Sequence, residues 1–363
     1  MGILISHNSA LEVLRRWELR HRLARGERGD IVLPASAPSA QELADAKRAL
    51  PLLESLSRPL EILTARGRSG ARSSGIVVHR WSAPLPPGSI IRLADGVACA
   101  TPELLAVLMA PSLTDLETVV LLSELMGIYA VAPGMEDGMF QRDVPLTDPS
   151  RILSYLAAVG PRPGTRLVRR ALTSACVRSG SPRETKLGLR LSLRSGLGGY
   201  GLRVVSMNEP VRVCRLDGSF VVGTRRPDLV VTVPGSGDGR FVAIEYLGSH
   251  HNERARLVED VTRSNELKAA GVSEYLIRSE HYSDLDYMDA LIDGIHRELG
   301  QPRIGMTRET AARRRVLRQS LYEELELIDG VVWRGRERAR RRAERLSQEE
   351  AWDLVPVEVY ETE

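Results

Sequence analysis

The chain has 363 residues, 43% of them hydrophobic and 27% charged, with a formal net charge of +3. That balance excludes wholesale disorder, and the length exceeds one ordinary domain of ~100–200 residues, so two domains with an appendage are expected. Aromatic residues make up only 4%, which argues against a protein that grips single-stranded nucleic acid mainly by base stacking.

Residues 3–5 open as a short apolar run. Ser9-Ala-Leu-Glu12 is a capping-box pattern, in which the hydroxyl and the carboxylate each satisfy a free N–H of a helix start, and it predicts a helix to Arg25. A brief strand is expected at 31–33 before Pro34, then an amphipathic helix over 39–53. After Pro59, strand-like runs at 60–63, 75–81, 90–93 and 97–100 are punctuated by Gly and Pro, and helices return at 101–109 and 113–126. Residues 1–147 therefore read as a mixed α/β domain without a catalytic pattern. His79, at the end of Ile76-Val-Val-His79, is either a ligand or a histidine satisfied in its strand. Arg66, Arg68 and Arg72, among Gly and Ser, either touch phosphate or are simply solvated. The Gly-, Pro- and Asp-rich stretch 131–149 reads as the hinge between halves.

The second domain is expected over 148–300. A helix and then a basic helix at 164–177 lead to Ser181-Pro-Arg-Glu184, where serine, proline at the first helical position and a first-turn glutamate mark a helix start. That helix carries Glu184, Leu187, Leu191 and Arg194 on roughly one side. A Gly-rich turn at 196–201 feeds a strand at 202–207, with 211–216 as its expected hairpin partner. Two strands follow, 226–233 with Asp228 and 241–248 with Glu245, joined tightly through Pro234, Gly235, Gly237 and Gly239. A helix over 255–270 ended by Gly271, a strand at 274–277 and a helix at 283–299 complete the domain. Asp228 and Glu245 on neighbouring strands have two readings. They are oxygen ligands for a hard cation such as Mg²⁺, which takes one or two carboxylates plus waters and substrate phosphate, or they are a turn aspartate and a sheet-edge glutamate without a joint role.

Residues 301–363 are expected to form a separate, charged helical segment. Leu317, Leu321, Leu325 and Ile328 follow helical spacing, which predicts a helix packed on the body or on a protein partner. The run 334–345 holds seven arginines, Arg338 and Arg341 among them, against Glu337 and Glu344. Such a face either binds nucleic-acid phosphates with salt-sensitive affinity or stays solvated in local Glu–Arg pairs. The acidic end, 358–363, is able to fold back on it.

Lys47, Lys186 and Lys268 are the only lysines, an arginine preference that GC-rich coding explains as well as phosphate recognition does. Cys99, Cys176 and Cys214 are scattered without metal-ligand spacing, which fits a reducing cytoplasm. No apolar run reaches the ~18–20 residues that span a membrane, and no signal-peptide pattern opens the chain. A cytoplasmic protein without a membrane partner is expected.

Six pieces recur in a known order: Ser181-Pro-x-Glu184, Leu197-Gly-Gly-Tyr-Gly201, Pro227-Asp-Leu229, Glu245-Tyr-x-Gly248, His251, and Asp260-x-x-Arg263-x-x-x-Leu267-x-x-x-Gly271. Together, over 182–299, they resemble the PD-(D/E)xK nuclease superfamily. Within it they are most similar to endonuclease-like domains related to very-short-patch-repair enzymes, found at the C-termini of actinobacterial proteins, some of them abortive-infection antitoxin-like. The resemblance implies an α/β (α+β) chain whose C-terminal domain is a restriction-endonuclease-like mixed sheet flanked by helices. It implies metal-dependent hydrolysis of DNA phosphodiesters, or alternatively a catalytically degenerate DNA-binding or antitoxin-like regulator. It also implies that Asp228 and Glu245 ligate Mg²⁺ or Mn²⁺, with the Tyr246 backbone carbonyl as a third ligand and Glu184 in support. His251, or else His250, is implied as general acid or as the group that orients the water, and Arg263 as a phosphate contact. Asp260 and Arg263 are also placed simply to pair with each other. His250 and His251 are adjacent, so at most one of them faces the site in an extended segment. One position departs from the pattern: two residues after Glu245, where the motif has lysine and its nearer relatives aspartate, stands Leu247. Leucine neither ligates a metal nor activates a water, which leaves Lys268 or Lys186 to substitute.

Overall fold

The computed structural model describes residues 2–66, 71–73, 75–214, 222–232, 241–247, 254–300, 306–333 and 335. The chain is mixed α/β, with mixed sheets flanked by helices and a helical C-terminal region. It divides into two compact units, Met1–Val177 and Arg178–Glu363.

The first unit starts with β1 (Ile3–Ile5) and α1 (His7–Leu14), followed by α2 (Arg20–Ala24), α3 (Ala40–Ala49) and α4 (Leu52–Ser55). Next come β2 (Leu60–Thr64), β3 (Ala71–Ser73), β4 (Ile76–Arg80), β5 (Ile90–Ala94) and β6 (Val97–Ala100), then α5 (Pro102–Met109) and α6 (Asp115–Leu125). The six strands form one sheet in the order β3-β4-β2-β1-β6-β5. Central β1 is parallel to β6 and antiparallel to β2, and every residue of β1 and β6 is buried, as strands covered on both faces require. A small hairpin, β7 (Tyr129–Val131) with β8 (Met139–Gln141), and the helices α7 (Pro149–Val159) and α8 (Pro163–Leu172) complete the unit.

Several local expectations change here. The helix expected over 9–25 starts two residues earlier and stops at Leu14, because Ser9 and Glu12 are not free to cap each other. The Ser9 hydroxyl accepts from the Glu61 N–H at 2.9 Å, and Glu12 pairs with Arg16 and accepts from the Ser57 N–H. The strand expected at 31–33 is replaced by an isolated bridge of Gly29 with Ile90, and Val32 is 94% exposed. His79 is not alone: its ring stacks on His7 with centroids 3.5 Å apart, and its Nε2 lies 3.6 Å from Glu61.

The expected boundary at residue 147 moves to 177. α7 and α8 bury Ile152, Tyr155, Leu156, Val159, Val168 and Ala171 and pack against α5 and α6, so they belong to the first unit. Contact between α8 and α5 is close enough that a Cβ at Gly164 would sit 1.9 Å from the Val107 carbonyl oxygen.

The second unit runs α9 (Pro182–Ser192), β9 (Arg203–Met207), β10 (Val211–Cys214), β11 (Val222–Arg225), β12 (Leu229–Thr232), β13 (Val242–Leu247), α10 (Arg254–Ala269), β14 (Ser273–Arg278), α11 (Ser279–Ser283), α12 (Leu285–Glu298) and α13 (Arg308–Leu327). Four strands form a mixed sheet in the order β14-β13-β12-β9. β12 is antiparallel to both neighbours, and α10 carries the chain from β13 to a parallel β14.

The expected hairpin of 202–207 with 211–216 does not form. β9 pairs with β12 instead, and β10 pairs with β11 in a separate two-stranded sheet. Asn208 explains the switch: at φ 53° its N–H donates to the carbonyls of Pro227 (3.1 Å) and Asp228 (3.2 Å), holding the end of β9 on the start of β12. Pro210, just beyond, has no N–H with which to continue a ladder.

α13 is part of this unit rather than a separate segment. Leu321 and Leu325 are buried, Arg183 and Lys186 of α9 reach Glu326 at 2.7 and 3.5 Å, and a Cβ at Gly198 would lie 2.2 Å from the Leu317 carbonyl oxygen. Among the described residues no helix is long and apolar enough to cross a membrane.

Gly164→Ala drives a methyl into the Val107 carbonyl. It is expected to destabilise the first unit by about 2 kcal/mol, read by calorimetry as a fall of roughly 4–8 °C in that unit's thermal midpoint.

Candidate functional site

The register of β12 on β13 builds the site. Leu229 pairs with Ile244, so Asp228, one residue before β12, falls opposite Glu245 with its side chain on the same face. The Tyr246 N–H donates to Asp228 Oδ2 at 2.8 Å and holds the aspartate against β13. Glu245 is 3% exposed. Its Oε2 lies 3.0 Å from Arg263 Nη2 on α10, and its Oε1 is buried with no hydrogen-bond partner among the described residues.

Glu184 approaches from the first turn of α9. Ser181 caps that helix by accepting from the Glu184 N–H at 3.0 Å, and Pro182 takes the first helical position. Glu184 Oε2 accepts from the Gly180 N–H at 2.6 Å and from Asn208 Nδ2 at 2.7 Å. Asn208 thereby joins the two halves of the site, its backbone on the Asp228 strand and its amide on the helix glutamate.

Burial raises the pKa of all three acids. Glu184 rises to about 7, through loss of solvation first and the charge of Asp228 second. Asp228 rises through loss of solvation and then the charge of Glu245. Glu245 also rises through loss of solvation, with Arg263 opposing and Glu274 adding to the shift. Asp228 and Glu245 titrate as a pair. When both are ionised neither has a proton to donate, and a proton kept on Asp228 joins it to Glu245.

Sequence reasoning missed Asn208 and Glu274. Glu274 pairs with Ala243 in the parallel register, so it shares the face of Glu245. Its side chain is 1% exposed, neither oxygen has a hydrogen bond among the described residues, and Arg263 Nε stands 3.8 Å away. One residue type carried a signal for each. Asparagine before Glu-Pro tolerates a left-handed turn, and a glutamate inside an otherwise apolar strand faces either solvent or a cation. One turn along α10, Glu266 is also buried and pairs with Arg225 at 2.6 Å.

The structure thus brings Glu184, Asp228 and Glu245 together, while the other expected site residues fare differently. Arg263 is turned inward as the ion-pair partner of Glu245, not outward as a phosphate contact, because the sheet face beneath α10 carries the uncompensated acids. Lys268 is exposed: five residues beyond Arg263 it lies about 140° round the helix, and it does not join the acids. Lys186 pairs with Glu326, and burial lowers its pKa. Leu247 stands on the face of Glu245, opposite Arg278 of β14. His250, His251, Arg338, Arg341 and the side chain of Asp260 lie outside the described residues.

Among the described residues no three His, Cys, Asp or Glu side chains form a metal-holding group by themselves. The Asp228–Glu245 pair, with Glu245 Oε1 buried and unpartnered, nevertheless fits the smaller demand of Mg²⁺, which completes its octahedron with waters and substrate phosphate. No protein-family model, curated protein or solved structure matches the chain.

Because folding raises the Glu184 pKa from 4.5 to about 7, the metal-free protein carries a stability contribution that is complete below pH 4.5 and is lost as pH rises through about 7. Glu184→Gln removes that dependence and keeps the acceptor oxygen. In EDTA, the variant is expected to gain on the parent by about 2–3 kcal/mol, or ~5–10 °C in Tm, between pH 5 and pH 8. Thermal melts at the two pH values check this.

Proposed function

We propose that the second unit is a divalent-metal-dependent phosphodiesterase acting on DNA. The observation that supports it is the gathering of Glu184, Asp228 and Glu245, from three separate elements, into one buried cluster in which loss of solvation pushes the pKa of every member up. Buried acids of like charge are costly as a structural device and are stabilised by a cation placed among them. Asp228 and Glu245 would hold Mg²⁺ or Mn²⁺, which supplies a water of lowered pKa and neutralises charge on the scissile phosphate. Glu184 keeps Asn208 and Gly180 in place and adds negative charge beside Asp228, and Tyr246 orients Asp228 through its N–H. The mixed sheet with an acid on the preceding helix, an aspartate before one strand and a glutamate on the next supports the same reading.

A specific pair of observations favours a second reading, a nuclease fold kept for DNA binding or antitoxin-like regulation. Leu247 occupies the face where the motif carries lysine or aspartate, and Arg263 already neutralises Glu245. The two readings separate in one assay. Purified protein with Mn²⁺ or Mg²⁺ is expected to nick supercoiled plasmid, and Asp228→Asn and Glu245→Gln are each expected to lower the rate at least about 100-fold. Leu247→Lys, which returns an amine to that face, is expected to raise it. A parent without metal-dependent nicking, whose Leu247→Lys variant gains it, identifies the degenerate site. Nicking by the parent that survives both acid substitutions removes the proposed centre altogether.

A further inference from the structure

Between Asp148 and Glu184 the chain carries Arg151, Arg162, Arg166, Arg169, Arg170, Arg178 and Arg183 without a single acidic residue. Across the whole chain 50 Lys and Arg are balanced by 47 Asp and Glu. A coding preference for arginine over lysine does not remove carboxylates, so the imbalance is local.

Within the first unit the imbalance centres on α8. The inner side of this helix, Gly164, Thr165, Val168 and Ala171, is buried, and the close approach of Gly164 to Val107 seats it firmly on α5. Arg166, Arg169 and Arg170 are exposed on the outer side, with Arg162 one turn earlier. Arg170 is paired with Asp115, and Arg162 lies over the Trp81 ring at 5.6 Å. Among the described residues, Arg166 and Arg169 have no ion-pair partner. Like charges one turn apart repel each other in the free protein, and a polyanion relieves that repulsion.

α7 reaches α8 through only Gly160, Pro161 and Arg162, with Gly160 at φ 69°. Of its exposed positions Ser150, Arg151, Leu153, Ser154, Ala157 and Ala158, only Arg151 is charged, and it is paired with Asp148. A helix docked along one side and carrying cations along the other can lie against the phosphates of a duplex. α8 itself has no aromatic side chain on which a base could stack.

We propose that the outer face of α8 is a duplex-DNA contact that works through backbone phosphates, with Arg166 and Arg169 as its principal cations. The choice of DNA among polyanions rests on the phosphodiesterase reading, and the face itself rests on α7 and α8 alone. The test is fluorescence anisotropy of a labelled mixed-sequence DNA duplex with the full chain, in EDTA, across a salt series. The parent is expected to bind with steep salt dependence. Arg166→Ala combined with Arg169→Ala is expected to weaken binding about tenfold or more at low salt and to lower the slope of log K against log salt by about 1.8, or ~0.9 for each lost phosphate contact. The double Arg→Lys variant is expected to keep the parent's slope.

The proposal is overturned if the double alanine variant keeps the parent's affinity and slope, or if single-stranded DNA or duplex RNA binds more tightly than duplex DNA. Its failure is separable from failure of the metal site. A parent that nicks DNA with Mg²⁺ while the α8 variant binds unchanged removes only the surface, and binding lost in the α8 variant of a protein that never nicks removes only the catalytic reading.

Discussion

Taking several carboxylates out of water at one edge of a sheet is the constraint around which the second unit is arranged. Asp228 and Glu245 are forced together by the pairing of Leu229 with Ile244, and neither can leave without breaking the register of the sheet. Each acid is then given what donors the backbone and neighbouring helices can supply: the Tyr246 N–H for Asp228, Arg263 for Glu245, Gly180 and Asn208 for Glu184. These donors do not suffice. Among the described residues Glu245 Oε1 and both oxygens of Glu274 stay buried without hydrogen bonds, and the pKa values of Glu184, Asp228 and Glu245 move up. A proton or a metal ion are the two ways to supply the missing positive charge, and the site is poised between them near neutral pH.

The opposite face of β13 is managed by different chemistry. Tyr246, next to Glu245 and so on the other side of the sheet, meets Tyr282 edge to face at 6.1 Å. Arg190 of α9, 1% exposed, lies over the Tyr282 ring at 4.5 Å and the Tyr322 ring at 5.0 Å, and donates to the Tyr282 carbonyl. Further along α13, Arg318 covers Tyr200 at 4.4 Å and pairs with Asp289 at 2.7 Å. Guanidinium groups pack flat on aromatic rings while remaining charged. α13 is therefore held by arginine stacking and by the Arg183 and Lys186 contacts to Glu326, and it packs on α9 and α12.

Arginine thus serves opposite purposes in different places. In the second unit the buried guanidinium groups are absorbed, meeting a carboxylate, a ring or a carbonyl, as are those of Arg15 and Arg142 in the first. On α8 of the first it is displayed on a helix whose other side is locked down by a glycine contact. The difference does not follow from abundance, since the arginine content is high throughout. It follows from where acids are placed, and between residues 148 and 184 there are none.

Much of this was readable from the residues alone, because it depends on neighbours a few positions apart. The start of α9 at Ser181-Pro182, the Asp228 and Glu245 strands and the helix after them follow from capping chemistry, β-branched runs and apolar period, and all three stand where the sequence places them. The same local reading failed where a distant partner competed. Ser9 and Glu12 are claimed by Glu61 and Ser57, the strand at 203–207 is taken by β12, and Arg263 is drawn in by Glu245 and Glu274. The sequence by itself determined most helices and strands of the second unit, though not β11 or α11, and which acids lie on adjacent strands. Only the tertiary structure decided that Asn208 bridges two of them, that Lys268 faces solvent, and that α7 and α8 belong to the first unit, because strand order, ion pairing and helix docking are settled by groups far apart in the chain, whose proximity no local spacing encodes.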